Sequence, residues 1–217
     1  MAKKALHQGL VTVNGEVVKK GDVQITDQEV RYQGQVLSLR APLYLMLNKP
    51  EGYISSTEGD LHPSVLNLVP PEWREGLHPA GRLDLDTTGL LLLTDDGQWS
   101  HRVTSPRKEL GKIYRVWLAD DLGHSVADQF AEGILLKGET KPTRPATLEV
   151  VSSREVLLQI HEGKYHQVKR MFAAVGNRVV KLHREQVGEI RLDPQLEPGQ
   201  WRHLTPKEIS SVDQGRL

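Results

Sequence analysis

The chain has 217 residues, enough for one domain of ordinary size or for one domain with a small additional module. With 38% hydrophobic and 26% charged residues, it has the composition of a globular protein with a substantial core. The 28 basic residues balance 28 acidic ones, so the total charge gives no indication of a nucleic-acid partner. The absence of cysteine excludes disulfides, thiol nucleophiles and cysteine-ligated zinc. Because no stretch resembles a signal peptide or a membrane span, the sequence predicts a soluble, cytoplasmic protein.

The first 40 residues are predicted to form a small unit of their own. A short helix is expected over residues 2–8, followed by a hairpin in which Asn14-Gly15 accepts the positive φ angles of a type I′ turn. Two further strands are expected at 23–25 and 29–39. Residues 40–42, which end in proline, favour a linker, because the residue before a proline avoids helical geometry.

From residue 43 onward the pattern changes to longer strands and a few helices. Strands are predicted at 43–49, 90–94, 112–118 and 155–160. Helices are predicted at 125–132, at 165–175, and from Thr205, where Pro206 and Glu208 complete a capping pattern. Strands outnumber helices and do not alternate with them as βαβ units would, which indicates an α+β domain on a largely antiparallel sheet.

The basic residues gather in two stretches. One contains Lys164, Lys169, Arg170, Arg178, Lys181 and Arg184, and the other contains Arg102, Arg107, Lys108, Lys112 and Arg115. These stretches form either ordinary solvated surfaces or a groove for an anionic polymer. In the helix predicted at 165–175, an apolar stripe turns Lys169 and Arg170 away from the core. Tyr165 and His166 add flat rings on which RNA bases can stack.

Residues 82–86, Arg-Leu-Asp-Leu-Asp, place two carboxylates beside a wall of leucine. In an extended segment the leucines face the core, and Arg82, Asp84 and Asp86 face a cleft or solvent. A turn is expected at 87–89. A poorly solvated aspartate at this position needs a cationic partner, and an ordinary ion pair of Arg82 with either aspartate is the alternative to a catalytic role. Glycosidase chemistry is excluded because neighbouring carboxylates on one strand cannot flank a sugar.

Four segments, in order, resemble motifs of the pseudouridine synthases. They are LNKPEGY at 47–53, GRLDLDTTGLLLLT at 81–94, KIYRV at 112–116 and the Gly-x-x-His-Gln-x-Lys segment within 162–184. The likeness covers residues 43–206 and implies the pseudouridine synthase fold, an α+β structure on a mainly antiparallel mixed sheet. The stretch 94–106 is similar to members that modify uridine 516 of 16S ribosomal RNA.

The N-terminal residues 3–40 resemble the second half of an S4-type RNA-binding domain, with the hairpin in its usual place. The first helix of such a domain, and much of the second, have no counterpart here. The resemblance therefore implies a truncated S4-like module over residues 1–41 and a catalytic domain over 42–217.

The resemblance also implies roles for individual residues. Asp84 aligns with the family's nucleophile, Tyr114 with the residue that stacks on the flipped base, and Lys169 with the basic residue that pairs with the nucleophile. Arg82 resembles the arginine that holds RNA in the flipped state. The substrate-binding set is predicted as Arg82, Lys49, Tyr165, His166 and Arg170, with a purely structural role for Lys49 left open. Asp86 is expected to be structural or to pair with a cation.

The implied reaction breaks the C1′–N1 bond of uridine and joins C1′ to C5, without redox change or cofactor. Whether Asp84 attacks the sugar or the base, or acts as a base at C2′, stays open. The spacing of His161, His166 and His183 does not predict a metal site. Residues 95–97 are interpreted as a tight turn rather than a magnesium site.

The function predicted on this basis is pseudouridylation of 16S ribosomal RNA, free or in a 30S assembly intermediate, by a monomer without protein partner or membrane contact. Two alternatives are a non-catalytic RNA-binding assembly factor that has kept the fold and a synthase directed at 23S ribosomal RNA.

Overall fold

The computed structural model describes residues 1–37, 40–107 and 110–213. The chain divides into two compact units, Met1–Ala41 and Pro42–Leu217. No helix in the described ranges is long and apolar enough to cross a membrane. All of the predicted site residues belong to the second unit.

The first unit consists of one short helix and a four-stranded antiparallel sheet. Its elements are α1 (Ala2–His7), β1 (Val11–Val13), β2 (Glu16–Val17), β3 (Val30–Tyr32) and β4 (Gln35–Leu37), with the strand order β2-β1-β3-β4. Asn14 and Gly15 both have positive φ, at 49° and 84°, which confirms the predicted hairpin turn. The S4-like character of this unit stays a prediction.

Two strand predictions in this unit are wrong. Residues 23–25 form no strand, and Val23 is about half exposed. The stretch 29–39 is not one strand but the hairpin β3–β4, because Gln33 and Gly34 both take positive φ and reverse the chain. Residues 38 and 39 of that prediction lie outside the described residues.

The second unit is built on a mixed sheet. Its strands are β5 (Tyr44–Lys49), β6 (His78–Pro79), β7 (Thr88–Thr94), β8 (Lys112–Leu118), β9 (Thr147–Ser152), β10 (Glu155–Ile160), β11 (Val179–Val187), β12 (Ile190–Arg191) and β13 (Trp201–His203). Its helices are α2 (Gly97–Thr104), α3 (Val126–Glu132), α4 (Gln167–Ala174) and α5 (Pro206–Ser211), with 3₁₀ turns at Val65–Leu68 and Pro71–Trp73. The main strand order is β13-β5-β7-β11-β8-β10-β9. The β7–β11 pair is parallel and the other ladders of this sheet are antiparallel, which confirms the predicted α+β class.

Most of the long elements lie where the sequence predicts them, and α5 begins with the predicted capping box of Thr205 and Glu208. Helix α2 was not predicted. Asp96 begins it by accepting hydrogen bonds from the backbone N–H groups of Gln98 and Trp99, so the interpretation of residues 95–97 as a simple tight turn is wrong. Strands β9, β11 and β13 were also missed.

The leucine run of β7 is explained by a core on each face of the sheet. Leu91 and Leu93 pack in one core, which includes Phe130, and Leu90 and Leu92 pack in the other, which includes Trp99. All four leucines are fully buried. A central strand that is covered on both faces has no reason to alternate with polar residues, so a continuous apolar run results.

Strands β7 and β11 approach each other closely at Gly89. Gly89 pairs with Arg184 in the parallel ladder and has a φ of +105°. A Cβ at this position would collide with the carbonyl oxygen of Arg184. This approach places the segment before β7 directly beside β11 and, through β11, beside β8.

Candidate active site

A cleft of about 770 Å³ lies within the second unit. Its walls come from the segment before β7, from β8, from β11, and from α4 with the loop before it. Six of the eight predicted site residues line it: Arg82, Asp84, Tyr114, Tyr165, His166 and Lys169. The cleft thus brings together residues that are up to 87 positions apart in the chain (169 − 82) and has the size of a small-ligand site.

The segment that carries Asp84 is anchored by two hydrogen bonds to one buried serine. Ser55 Oγ donates to the Leu83 carbonyl and accepts from the Leu83 N–H, both at 3.0 Å. Leu83 is buried as predicted, but Leu85 is only half-buried. The turn lies at 84–87, where the Thr87 N–H donates to the Asp84 carbonyl, and not at 87–89. The predicted turn is wrong because Thr88 already belongs to β7 and pairs with β11.

Lys49 lies behind this segment and not in the cleft. Its side chain is fully buried, and Nζ donates to the carbonyl oxygens of Pro50 at 3.0 Å, Leu85 at 3.3 Å and Thr87 at 2.8 Å. Burial lowers the pKa of Lys49 to about 8, although the charges of the nearby aspartates oppose the shift. The geometry therefore fits the structural alternative for Lys49, and its role in substrate binding stays a prediction that this burial does not favour.

Two aspartates share one lysine at the mouth of the cleft. Lys169 Nζ lies 3.4 Å from Asp84 Oδ2 and 2.6 Å from Asp86 Oδ1. Burial lowers the pKa of Lys169, but the hydrogen bond and charge of Asp86 and the charge of Asp84 outweigh it, and the pKa lies above its ordinary value. The hydrogen bond from Lys169 in turn lowers the pKa of Asp86.

The alternative ion pair with Arg82 is not observed. Among the ion pairs of the described residues, neither aspartate contacts the exposed Arg82. The other oxygen of Asp84 lies 3.4 Å from His166 Nε2. Asp84 therefore sits between two side chains of the α4 region, one of them cationic, while Arg82 extends separately along the cleft wall.

His166 and Tyr165 form a flat surface at the beginning of α4. His166 has the left-handed backbone angles φ 46° and ψ 39°, which is why the helix begins at Gln167 and not at 165 as predicted. The two rings stack with centroids 3.8 Å apart and planes inclined by 23°. Tyr165 is 77% exposed, so the outer face of the stack is open to solvent.

Arg170, which the sequence assigned to substrate binding, does not line the cleft. Its guanidinium donates to Glu139 Oε1, to the Tyr165 carbonyl and to the Lys137 carbonyl, at 2.9 to 3.1 Å. These contacts fasten the 137–139 segment to α4. The assignment of Arg170 to the substrate stays a prediction, and the structure uses its Nη donors inside the protein.

Tyr114 belongs both to the hydrophobic core and to the cleft. It is 9% exposed, packs in the hydrophobic core and also lines the cleft. On β8 it lies between Leu158 of β10 and Arg184 of β11. Its ring therefore forms part of the cleft floor, in the middle of the sheet.

Only part of the two basic stretches lines the cleft. The cations that line the cleft are Arg82, Lys112, Arg144, Lys164, Lys169 and Arg184. Arg115 pairs instead with Glu155 and Glu185, Lys181 lies over the Trp117 ring, and Lys108 lies outside the described residues. No group of three or more metal-ligating side chains occurs in the described ranges. The sequence did not identify Arg144 as a residue of the site, because the segment around it carries no recognisable motif.

Comparison with known proteins identifies the family. The family model of the RNA pseudouridylate synthases matches residues 43–174, which contain every residue proposed above for the site. The chain belongs to this family. It is 53% identical to ribosomal small subunit pseudouridine synthase A of Vibrio cholerae over 97% of this chain and 92% of that protein. It is 50% identical to the protein of the same name from Escherichia coli K12 over 98% of this chain and 93% of that protein.

A solved structure shows the same architecture. A crystal structure described as pseudouridylate synthase superimposes with a TM-score of 0.78 and 49% identity, over 97% of this chain and 92% of that one. The fold and the class of enzyme, an RNA pseudouridine synthase, therefore follow from independent comparisons of sequence and structure.

Proposed function

We propose that this RNA pseudouridine synthase isomerises one uridine of 16S ribosomal RNA, of the uridine 516 type, with Asp84 as its nucleophile. The observation that carries the proposal is the position of Asp84 in the cleft, between Lys169 and His166 and in the same cleft as Tyr114. A carboxylate with cationic support and an aromatic floor suits an attack on the sugar or base of a flipped nucleoside.

The proposal that the substrate is 16S ribosomal RNA rests on the names of the similar proteins. The two proteins at 50% and 53% identity carry small-subunit names, and each aligns with almost the whole chain. We expect the substrate to be 16S ribosomal RNA, either free or in a 30S assembly intermediate. We also expect a monomer that works without a protein partner.

The uridine must leave the RNA stack before its base can turn over. The exposed stack of Tyr165 on His166 offers a surface for a neighbouring base, and Arg82 on the cleft wall offers a cation for the RNA backbone. The flipped uracil would then lie on Tyr114, whose hydroxyl we assign to removal of the C5 proton. The S4-like unit at 1–41 would add RNA contacts outside the cleft.

The test is complementation in a bacterial strain that lacks its own enzyme, with chemical mapping of pseudouridine in 16S and 23S ribosomal RNA. The natural chain should restore one modification in 16S RNA, and Asp84→Asn should restore none. Asp128→Asn, which changes an exposed aspartate of α3, serves as the matched control and should behave like the natural chain.

The same maps distinguish the alternatives. Modification by Asp84→Asn would remove the nucleophile assignment. Modification confined to 23S RNA would favour a large-subunit enzyme. Tight RNA binding by the natural chain without any conversion, in free RNA and in assembly intermediates, would favour an assembly factor.

A further inference from the structure

Arg184 is a buried cation in the wall of the cleft. It lies on β11, is 2% exposed and lines the cleft. Its Nε donates to the Leu90 carbonyl at 2.9 Å, which fixes the guanidinium in place. Within the described residues its Nη2 has no hydrogen-bond partner. A guanidinium remains charged at every physiological pH, so a buried nitrogen without an acceptor is costly unless a ligand supplies one.

A second cation lines the cleft near Arg184. Lys112 begins β8, two residues before Tyr114 and on the same side of the strand. Burial lowers the pKa of Lys112, and the charge of Arg184 lowers it further. Thr87 also lines the cleft, and its buried hydroxyl lacks a hydrogen-bond partner among the described residues. The wall of the cleft therefore contains polar groups that have no hydrogen-bond partner among the described residues, and these groups fit an electron-rich oxygen.

We propose that Arg184, supported by Lys112, binds a carbonyl oxygen of the flipped uracil and stabilises the negative charge that the base acquires during isomerisation. This inference rests on the proposed function, because it assigns a further residue to the same reaction. Arg184 would be a catalytic residue in the strict sense, since it touches the reacting base.

The charge follows from the chemistry. When the C1′–N1 bond breaks, its electron pair stays with the base, while C1′ bonds to an Asp84 oxygen or the C2′ proton passes to that carboxylate. The departing uracil then carries one negative charge, shared by N1 and its carbonyl oxygens. C5 next uses an electron pair of the base to bond to C1′, and the C1′–Asp84 bond breaks or, in the route through C2′, the carboxylate returns its proton to C2′. Tyr114 then passes the C5 proton to solvent, and N1 takes up a proton, so that the base ends neutral. If Asp84 instead adds to C6, the charge resides on O4. Each route benefits from a fixed cation at a carbonyl oxygen.

An RNA phosphate is the other anionic group that Arg184 could bind, but the burial of Arg184 argues against a phosphate. Arg184 is almost completely enclosed, whereas Arg82 is exposed on the cleft wall and is better placed for the backbone. Arg184 pairs with Tyr114 in the β8–β11 ladder, and the two line the same floor. The part of the nucleotide that reaches a floor formed by these two residues is the base.

The test measures single-turnover conversion of a 16S RNA fragment at saturating protein. Arg184→Lys should lower the rate constant by about 100-fold, since a lysine cannot hold the Leu90 carbonyl and reach the base together. The Kd for RNA should stay within about threefold of the natural value. Arg115→Lys makes the same change on the neighbouring strand, outside the cleft, and should leave the rate unchanged.

A fluorinated substrate separates charge stabilisation from a structural role. Fluorine at C5 withdraws electrons and makes the departing base less basic, so consumption of 5-fluorouridine should depend less on Arg184. With this substrate we expect Arg184→Lys to lower the single-turnover rate constant by only about tenfold relative to the natural chain. An equal deficit with uridine and 5-fluorouridine, or full activity of the variant, would overturn the inference. A weaker Kd with an unchanged saturated rate would assign Arg184 to a phosphate and would also overturn it.

Lys112→Met provides a second variant if thermal melting shows that Arg184→Lys does not fold. Its rate should fall by about tenfold, again less with 5-fluorouridine, and an unchanged rate would contradict the shared site. Failure of the proposed function is visible separately, because the natural chain itself would then form no pseudouridine.

Discussion

The ammonium of Lys169 lies closer to Asp86 than to Asp84, at 2.6 Å against 3.4 Å. The proposed nucleophile therefore shares its cation with a neighbour two residues away. Asp86 is 59% exposed and Asp84 is 35% exposed, so solvent screens the shorter ion pair more strongly. The pair with Asp86 consequently positions Lys169 more than it stabilises the fold.

Asp86→Asn should lower the rate of pseudouridine formation by about fivefold or less, because an exposed ion pair contributes little and Lys169 can turn fully to Asp84. Lys169→Met should lower the rate by about 100-fold or more, since it leaves the Asp84 carboxylate without its cation. Single-turnover kinetics on the same RNA fragment measure both. If Asp86→Asn is as damaging as Asp84→Asn, Asp86 takes part in the chemistry.

Tyr114→Phe should lower the rate by about 100-fold while leaving the free energy of unfolding nearly unchanged. The ring still fills its position in the core, and only the hydroxyl assigned to proton removal is lost. Tyr44→Phe is the matched control, because it removes a hydroxyl bonded to Asp96 outside the cleft. That control should cost about 1 kcal/mol of stability without changing the rate. Normal activity of Tyr114→Phe would leave only a stacking role.

Gly89→Ala should destabilise the second unit by about 3 kcal/mol or more. Its φ of +105° is strained for alanine, and the added methyl collides with the Arg184 carbonyl. Gly97→Ala, in the first turn of α2 with open space around it, should leave stability unchanged or raise it by up to about 1 kcal/mol. Urea unfolding of both variants measures the difference. A tolerated alanine at 89 would show that β7 and β11 can separate.

Lys49 makes the stability of the protein depend on pH in alkaline solution. Because burial lowers its folded-state pKa to about 8, the unfolded chain holds this proton over the range from about pH 8 to 10.5 while the folded chain releases it. Stability from this group therefore rises with pH across that window. Between pH 7.5 and 9.5 the natural chain should gain about 1 to 2 kcal/mol relative to Lys49→Met, as measured by urea unfolding.

The absence of a slope would show that Lys49 keeps its ordinary pKa in the folded protein, and the opposite slope would show that folding raises it. Lys49→Met should also lower the rate of pseudouridine formation, although Lys49 is not among the residues that line the cleft. Without the ammonium, the carbonyls of Leu85 and Thr87 lose their donor, and the Asp84 segment loses its support.

The sequence by itself determined those features that short segments encode. Asn14-Gly15 specifies its hairpin, Thr205 with Glu208 specifies a helix start, and alternation specifies β8 and β10, because these signals act within a few residues. Family resemblance located Asp84, Tyr114 and Lys169, and all three line one cleft. The leucine run at 90–93 likewise identified a buried strand.

The tertiary structure decided which distant side chains meet. Lys49 and Arg170 looked like RNA ligands in the sequence, yet packing uses their donors inside the protein. In the sequence Arg184 is one basic residue among several, whereas the parallel β7–β11 pair buries it at the cleft with a donor that has no partner in the described part of the chain. Which of the two aspartates lies closer to Lys169 depends on how α4 packs across the sheet. No local pattern encodes contacts between residues more than 80 positions apart, because they arise only when the sheet closes.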